Sequence, residues 1–230
     1  MAEVAVLTEA LNEAKGLREV LTRVPGGYDV YLVDDGSTDD TGTVAEACGA
    51  KVIRHSVNLG QGLAFATGMR TILGGGYDYA VHLDSDGQHD PADIPRFVKA
   101  LDETGLDLIA GSRILGGHDR TTVLRGLGLP VLTRVVNRIT GYDQTDVMCG
   151  FRGYRVEAMR RVIGSFDDYY HPQYNAVEMF IRFSRLGISV GEIPVHVHKR
   201  TQGHSYKGEI RYGVNVFVGM MRAFLQRGRS

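Results

Sequence analysis

Asp84 and Asp86 stand two residues apart where a short run of strand-forming residues, Tyr79 to Leu83, leads into Asp84-Ser85-Asp86-Gly87-Gln88-His89-Asp90-Pro91. In extended backbone, side chains at i and i+2 leave the same face, so both carboxylates can meet one cation at a strand's carboxyl end. Hard oxygen donors suit magnesium or manganese, and these ions also bind diphosphate oxygens. A bare pair of aspartates is usually turn chemistry, but this one has company. Asp34-Asp35-Gly36-Ser37-Thr38-Asp39-Asp40-Thr41 closes another apolar run, and Arg113 follows a third.

The elements that must position these groups read in order. Val4 to Leu7 is an apolar run, followed by a helical pattern through Leu17, Val20 and Leu21 that stops at Pro25-Gly26-Gly27. Tyr28 to Val33 is a second strand, and its acidic turn supplies the cap and first turn of a helix reaching Cys48. Lys51 to Arg54, Tyr77 to Leu83 and Leu106 to Ala110 are further strands, separated by helices over Leu63 to Leu73 and Ile94 to Leu101, the latter opened by Pro91. Five strands alternating with helices predict an α/β fold, a doubly wound and mostly parallel sheet with helices on both faces. Ligands bind such sheets beyond the carboxyl ends of the strands, where Asp34, Asp35, Asp84, Asp86 and Arg113 all fall. After Gly111 the alternation stops. A helix is expected over Val123 to Ile139, an antiparallel strand over Met148 to Tyr154, a helix over Tyr174 to Leu186, and a strand over Ile188 to Val197 that Pro194 marks as an edge or a bulge.

The 230 residues suffice for one substantial domain, and a formal net charge of -1 argues against a nucleic-acid binder. Cys48 and Cys149 form no metal or disulfide pattern, so a reducing compartment is expected. Met1 leads directly into acidic and strand-like residues, which predicts no signal peptide, and no apolar stretch approaches the ~18 residues of a membrane span. Gly60-Gln61-Gly62 invites a dinucleotide-binding reading, but Phe65 stands where the third glycine belongs. Glu9-Ala10-Leu11-Asn12 likewise lacks the glycine-rich loop of a nucleotidyltransferase.

Seven motifs occur in sequence: Ala10-Leu11-Asn12-Glu13, Val33 to Asp39, Asn58 to Gly62, Asp84 to Pro91, Gly111-Ser112-Arg113, Asp146 to Arg152, and Glu192-Ile193-Pro194-Val195 with Arg200, Gly203 and Ser205. Together they resemble the family 2 glycosyltransferases of GT-A fold, and most of all the dolichyl-phosphate mannosyltransferase-like branch that glycosylates polyprenyl phosphates. The resemblance spans about residues 4 to 207. It implies an inverting, metal-dependent transferase taking a GDP- or UDP-sugar donor and a polyprenyl phosphate acceptor. The alternatives are a soluble or polymeric glycan acceptor, or a catalytically silent nucleotide-sugar binding module.

The resemblance also implies roles. Ala10, Asn12, Glu13, Asp34, Asp35, Asp84, Ser85 and Arg113 would hold the nucleotide sugar, with Asp34 and Asp35 accepting from base or ribose. Asp84, Asp86 and Gln88 would hold Mg2+ or Mn2+. Asp86, Glu178 and Arg200 would form the catalytic set, Glu178 as general base and Arg200, like Arg113, on phosphate. An acceptor phosphate is already ionised at neutral pH, and Glu178 would then only position groups. Glu9, Gln61 and Ser85 depart from the family pattern, which has proline, often lysine, and a small apolar residue there. His82 reads as a packed or hydrogen-bonded strand residue, and His198 is in reach of the metal from the last strand.

Two further expectations concern the C-terminal part. The polar segment Lys199 to Lys207 has the composition of a lid over bound donor or acceptor. Residues 208–230 form a separate amphipathic helix after the catalytic domain of residues 1–207, with Ile210, Val214, Phe217, Val218, Met221, Phe224 and Leu225 on its apolar side. Such a helix packs on its own domain, makes a homodimer, or lies in a membrane interface. The lipid acceptor favours peripheral contact with the inner face of the membrane by a cytoplasmic protein.

Overall fold

In the computed structural model, residues 2–119, 123–164, 176–199 and 209–225 are described. Seven strands form one sheet in the order β3-β2-β1-β4-β6-β5-β7. They are β1 (Val4–Ala10), β2 (Asp29–Asp34), β3 (Lys51–Arg54), β4 (Tyr79–His82), β5 (Leu108–Ser112), β6 (Arg152–Arg155) and β7 (Val190–Pro194). Among the described strands only β6 runs antiparallel, between β4 and β5. The first half is the expected alternation, with α1 (Ala14–Thr22), α2 (Thr41–Ala47), α3 (Gln61–Leu73) and α4 (Ile94–Thr104) between successive strands. Three short elements follow less regular signals: a 3-10 turn at Pro91–Asp93, α5 (Arg113–Gly116) and α7 (Val156–Val162). The remaining helices are α6 (Val123–Thr140), α8 (Ala176–Arg185) and α9 (Glu209–Leu225).

The period of two along β1 sorts the core into layers. Ala5 and Leu7 face a cluster holding Phe65, Met69 and Ile72 of α3 together with residues of α7, α8 and α9. Val4 and Val6 face the opposite layer, where Ile94, Phe97 and Leu101 of α4 meet Phe151. Ala10 and Leu32 continue that second face under Leu17, Leu21 and Ala45 of α1 and α2. Every residue of β1 is buried, Thr8 and Glu9 included. The strand therefore runs three residues past the apolar run that announced it.

The antiparallel strand was expected at Met148 to Tyr154 and forms at its far end, because the preceding residues turn to line the site described below. β7 is an edge strand, and Pro194 closes it, so the missing N–H interrupts no ladder. The proline's carbonyl instead accepts from Arg96 at 2.8 Å.

The C-terminal helix docks on its own domain, with Val216, Met220 and Ala223 buried in the core beside α8. Arg185 of α8 donates to the carbonyls of Ala223 and Phe224 at the helix's end, where cations are favoured. The face that docks is thus a different one from the stripe expected. Phe217, Met221, Phe224 and Leu225 point outward, and Leu225 is 71% exposed. No helix among the described residues is long and apolar enough to cross a membrane. Arg200, the remainder of the expected lid and the basic end from Gln226 lie outside the described residues.

Candidate active site

Parallel pairing in register sets Ala10 beside Asp34, and the loops leaving these two strand ends are tied together. Asn12 adopts the left-handed conformation, φ 55°, which asparagine tolerates. Its side-chain oxygen accepts from the Thr38 N–H at 2.8 Å and the Thr38 hydroxyl at 3.2 Å. Ser37, Thr41 and Asp39 in turn accept from the N–H groups of Asn12, Glu13 and Ala14. Burial alone would raise the Asp39 carboxyl, but hydrogen bonds from Thr41 and Ala14 hold it below the ordinary aspartate range. The motif around Asn12 and the acidic turn of β2 are therefore one unit.

Within that unit the two aspartates differ. Asp34 accepts from the Ser37 N–H at 2.9 Å, an Asx turn that shapes the loop. Asp35 is turned into the protein. It accepts from Leu59 N–H at 2.9 Å and Gly60 N–H at 2.8 Å, and meets His55 Nδ1 at 2.8 Å. Asp35 thereby anchors the Asn58 to Gly62 motif, and Gly36, at φ 79°, lets the turn pass Val57 so closely that a Cβ would sit 2.5 Å from its carbonyl carbon.

The anchored motif opens α3 and delivers Gln61 to the aspartate pair, where its amide donates to Asp84 Oδ1 at 3.1 Å. Asp84 Oδ2 faces His89 Nε2 at 3.4 Å. The Asp84 carboxylate lies in a cradle that only glycine leaves open, since a Cβ on Gly150 would come within 2.5 Å of Oδ2. Asp86 Oδ1 accepts the Gln88 N–H at 3.1 Å, tightening the turn. The Gln88 amide nitrogen faces the His198 carbonyl at 3.2 Å, which leaves the amide oxygen as the atom to turn towards a cation. Two carboxylates and an amide oxygen make a hard donor set, and the Gly150 cradle shapes one of them, so these residues fit Mg2+ or Mn2+. His198 itself turns its ring to Asp119 rather than to this pair.

Beneath the pair lies a buried polar layer. His82, the last residue of β4, directs Nδ1 at the Gly150 carbonyl, 2.8 Å away, and Nε2 at both Glu9 oxygens, 3.0 and 2.8 Å away. A carbonyl and a carboxylate are both acceptors, so the ring donates from both nitrogens as an imidazolium. Burial works against that charge, but Glu9 outweighs it and the His82 pKa is raised. Ser85 donates to the Glu9 carbonyl at 2.8 Å. Glu9, Gln61 and Ser85, the three departures from the family pattern, thus all act on the segment that carries Asp84.

The remaining motifs form the other wall. Arg113 grips Asp146 with two donors, Nε to Oδ2 at 2.6 Å and Nη2 to Oδ1 at 2.8 Å. Burial would raise the Asp146 carboxyl, but the Arg113 guanidinium overrides it and lowers the pKa. Arg113 is therefore first a clamp at the end of β5. Glu192 holds the Thr145 N–H at 2.8 Å, and Ser112 Oγ contacts Thr145 Oγ1, so three distant motifs meet at one segment. Glu178 on α8 is 1% exposed and paired with Arg182, Nη2 to Oε1 at 2.6 Å. His82 is the hydrogen-bonded strand residue expected, but its partner Glu9 and the contact of Gln61 with Asp84 were not foreseen, although both residues stood out as departures from the family pattern. The roles of His89 and Gly150 beside Asp84 left no such signal.

The strand order, with β6 antiparallel between β4 and β5, is that of a GT-A fold, and the aspartate pair stands beyond β4. Glucosyl-3-phosphoglycerate synthase from Mycobacterium tuberculosis, solved with Mn2+, UDP and glucosyl-3-phosphoglycerate, superposes with a TM-score of 0.72 over 96% of this chain and 80% of that one, at 20% identity. The chain belongs to glycosyl transferase family 2, whose sequence pattern matches residues 5–163. Among its relatives, the undecaprenyl-phosphate mannosyltransferase of Micrococcus luteus is 30% identical, with 88% of this chain and 86% of the relative aligned. The polyprenol monophosphomannose synthase of Mycolicibacterium smegmatis is 30% identical, with 87% and 79% aligned.

Proposed function

We propose that this glycosyltransferase moves a sugar from a GDP- or UDP-sugar to a polyprenyl phosphate with inversion, aided by Mg2+ or Mn2+. The observation that carries the reading is the Asp84 and Asp86 pair, with Asp84 seated against Gly150, at the same sheet end as the Asp34 turn. The names of the two mannosyltransferase relatives supply the acceptor class. An acceptor phosphate oxygen forms a bond to the anomeric carbon from one face while the bond to the diphosphate oxygen breaks on the other, and the nucleoside diphosphate leaves. When bound, the cation neutralises charge that grows on the leaving diphosphate. Asp34 accepts from the nucleoside. Asp35, Gln61, His82 and Gly150 hold the loops and the Asp84 carboxylate in place. Because the acceptor arrives ionised, Glu178 holds Arg182 rather than removing a proton.

Residues 1–207 carry this activity in our reading, and the helix that follows serves the membrane-bound acceptor. Its outward Phe217, Met221, Phe224 and Leu225 suit an interfacial layer. A second reading, a soluble phosphorylated acceptor, is favoured by the ligand in the superposed synthase. The test is a thermal-shift panel of nucleotide sugars with and without manganese, followed by transfer to a short-chain polyprenyl phosphate and to soluble acceptors. Asp86→Asn is expected to abolish transfer while remaining folded, and transfer in excess chelator would refute the metal requirement. Salt-sensitive sedimentation with anionic vesicles is expected. Its absence, together with activity on soluble acceptors alone, would establish the second reading.

A further inference from the structure

A second group of metal-ligating side chains is assembled from two chain segments outside the aspartate pair. His196 and His198 are two apart in an extended stretch, so their rings leave the same face. This stretch pairs in parallel with the turn after α5, His118 opposite Val197, with the Val197 N–H donating to Gly117 at 3.1 Å and the Asp119 N–H to Val197 at 3.0 Å. The pairing sets Asp119 between the two rings. Oδ1 lies 2.7 Å from His196 Nε2, and Oδ2 lies 3.7 Å from His198 Nδ1. One ligand atom from each of the three lies within 4.8 Å of the others.

Two of the three groups have the outer partner that orients a metal-bound imidazole or carboxylate. His196 Nδ1 faces the Gly116 carbonyl at 3.4 Å, which leaves Nε2 as the ligating nitrogen. Asp119 Oδ2 accepts the Lys199 N–H at 2.9 Å. The three side chains are 42 to 45% exposed, so an ion from solvent reaches them.

We propose that Asp119, His196 and His198 form a binding site for a zinc-class divalent cation, separate in place and chemistry from the aspartate pair. Two imidazoles and one carboxylate are the donors zinc takes at about 2.0–2.2 Å, whereas magnesium prefers oxygen alone. Ligand atoms on a tetrahedral ion stand about 3.4 Å apart, so His196 and Asp119 open slightly while His198 closes in. The ion displaces the proton held between His196 and Asp119, which passes to solvent. A water completes the coordination. The site also adjoins the catalytic loop, because the His198 N–H donates to the Gln88 carbonyl at 2.8 Å.

Cobalt is the probe, since nitrogen-rich tetrahedral sites give strong visible absorption and all-oxygen octahedral sites give little. The full-length protein is stripped with chelator and titrated with Co2+ in excess Mg2+, and zinc affinity is read by calorimetry under the same conditions. One cobalt equivalent with tetrahedral absorption is expected in the wild type and in Asp86→Asn. Affinity is expected to fall by more than about 100-fold in His196→Ala and in Asp119→Ala, since losing an outer partner already costs about 10- to 100-fold and these residues are ligands. Circular dichroism checks that the variants fold, and His198→Ala replaces any that does not. Absence of tetrahedral absorption in the wild type would overturn the proposal. So would binding that survives His196→Ala but disappears in Asp86→Asn, or equal loss in both.

Discussion

Gly150→Ala offers a sharp test of the site, because the added methyl strikes one group. Its Cβ would lie 2.5 Å from Asp84 Oδ2, 3.0 Å from Cγ and 3.1 Å from Oδ1, where ordinary contact begins at 3.4 Å. The carboxylate must therefore retreat by roughly 0.9 Å, the shortfall against that limit. Gly150 has an ordinary negative-side backbone conformation, so alanine adds no strain of its own. Folding is expected to suffer little, below about 2 kcal/mol, since only the tip of one side chain moves. Catalysis is expected to suffer much more. A misplacement of about 1 Å lowers rates roughly 100-fold, equivalent to about 2.7 kcal/mol in the barrier. The assay is sugar transfer as a function of manganese concentration, beside chemical denaturation of the same preparations. Gly128→Ala is the control. Nothing lies within 4 Å of its Cβ position in α6, and alanine there should stabilise by about 0.5–1 kcal/mol without altering turnover. A folded Gly150→Ala protein with wild-type rate and manganese dependence would refute the cradle.

Arg113→Ala leaves Asp146 buried and unpaired, and is expected to destabilise by about 3 kcal/mol at neutral pH in denaturant titrations. The folded pKa of Asp146 is depressed, so the pair's stabilisation is present above the ordinary aspartate pKa and is lost as pH falls through the folded value. The gap between wild type and variant should accordingly shrink in strong acid, and a constant gap would count against the ion pair. Cys149 is buried and its thiol is pushed up to about 12, whereas Cys48 is partly exposed. Iodoacetamide near pH 8 should label one thiol in the native protein and two after denaturation, as mass spectrometry would count. Asn12→Gly and Asn12→Ala lose the same two bonds to Thr38, but only alanine is strained at φ 55°. The alanine variant should be less stable by about 1 kcal/mol, and equal melting of the two would place Asn12 elsewhere.

Much of the site was legible because it is built from local chemistry at strand ends. The spacing of Asp84 and Asp86, the Asx turn at Asp34 and the proline after Asp90 each act within a few residues, and parallel pairing does the rest. The antiparallel β6 was also foreseeable in kind. What escaped depends on separation. Gly150 matters through a residue 66 positions earlier, and nothing around it marks a cradle. Gln61 reads as a helix start until Asp35 anchors the loop before it. Periodicity could not tell which side of α9 would dock, because Val216, Met220 and Ala223 form one apolar stripe and Phe217, Met221 and Phe224 another beside it. Arg113 showed its charge but not its partner, which lies 33 residues away.

The Glu9 and His82 couple also constrains how the sequence can change. Each ring nitrogen of His82 has an acceptor, and each Glu9 oxygen approaches that ring, within buried strands. An apolar residue at position 9 would strand a buried imidazolium, and an apolar residue at 82 would strand a buried carboxylate. Either single step passes through a less stable protein, while the double replacement restores a neutral layer. Chains descending from this one should therefore keep both residues or lose both. The pair can be inherited only as a unit, and a homologue with Glu9 retained and His82 replaced by an apolar residue should carry a new cation from elsewhere in its core.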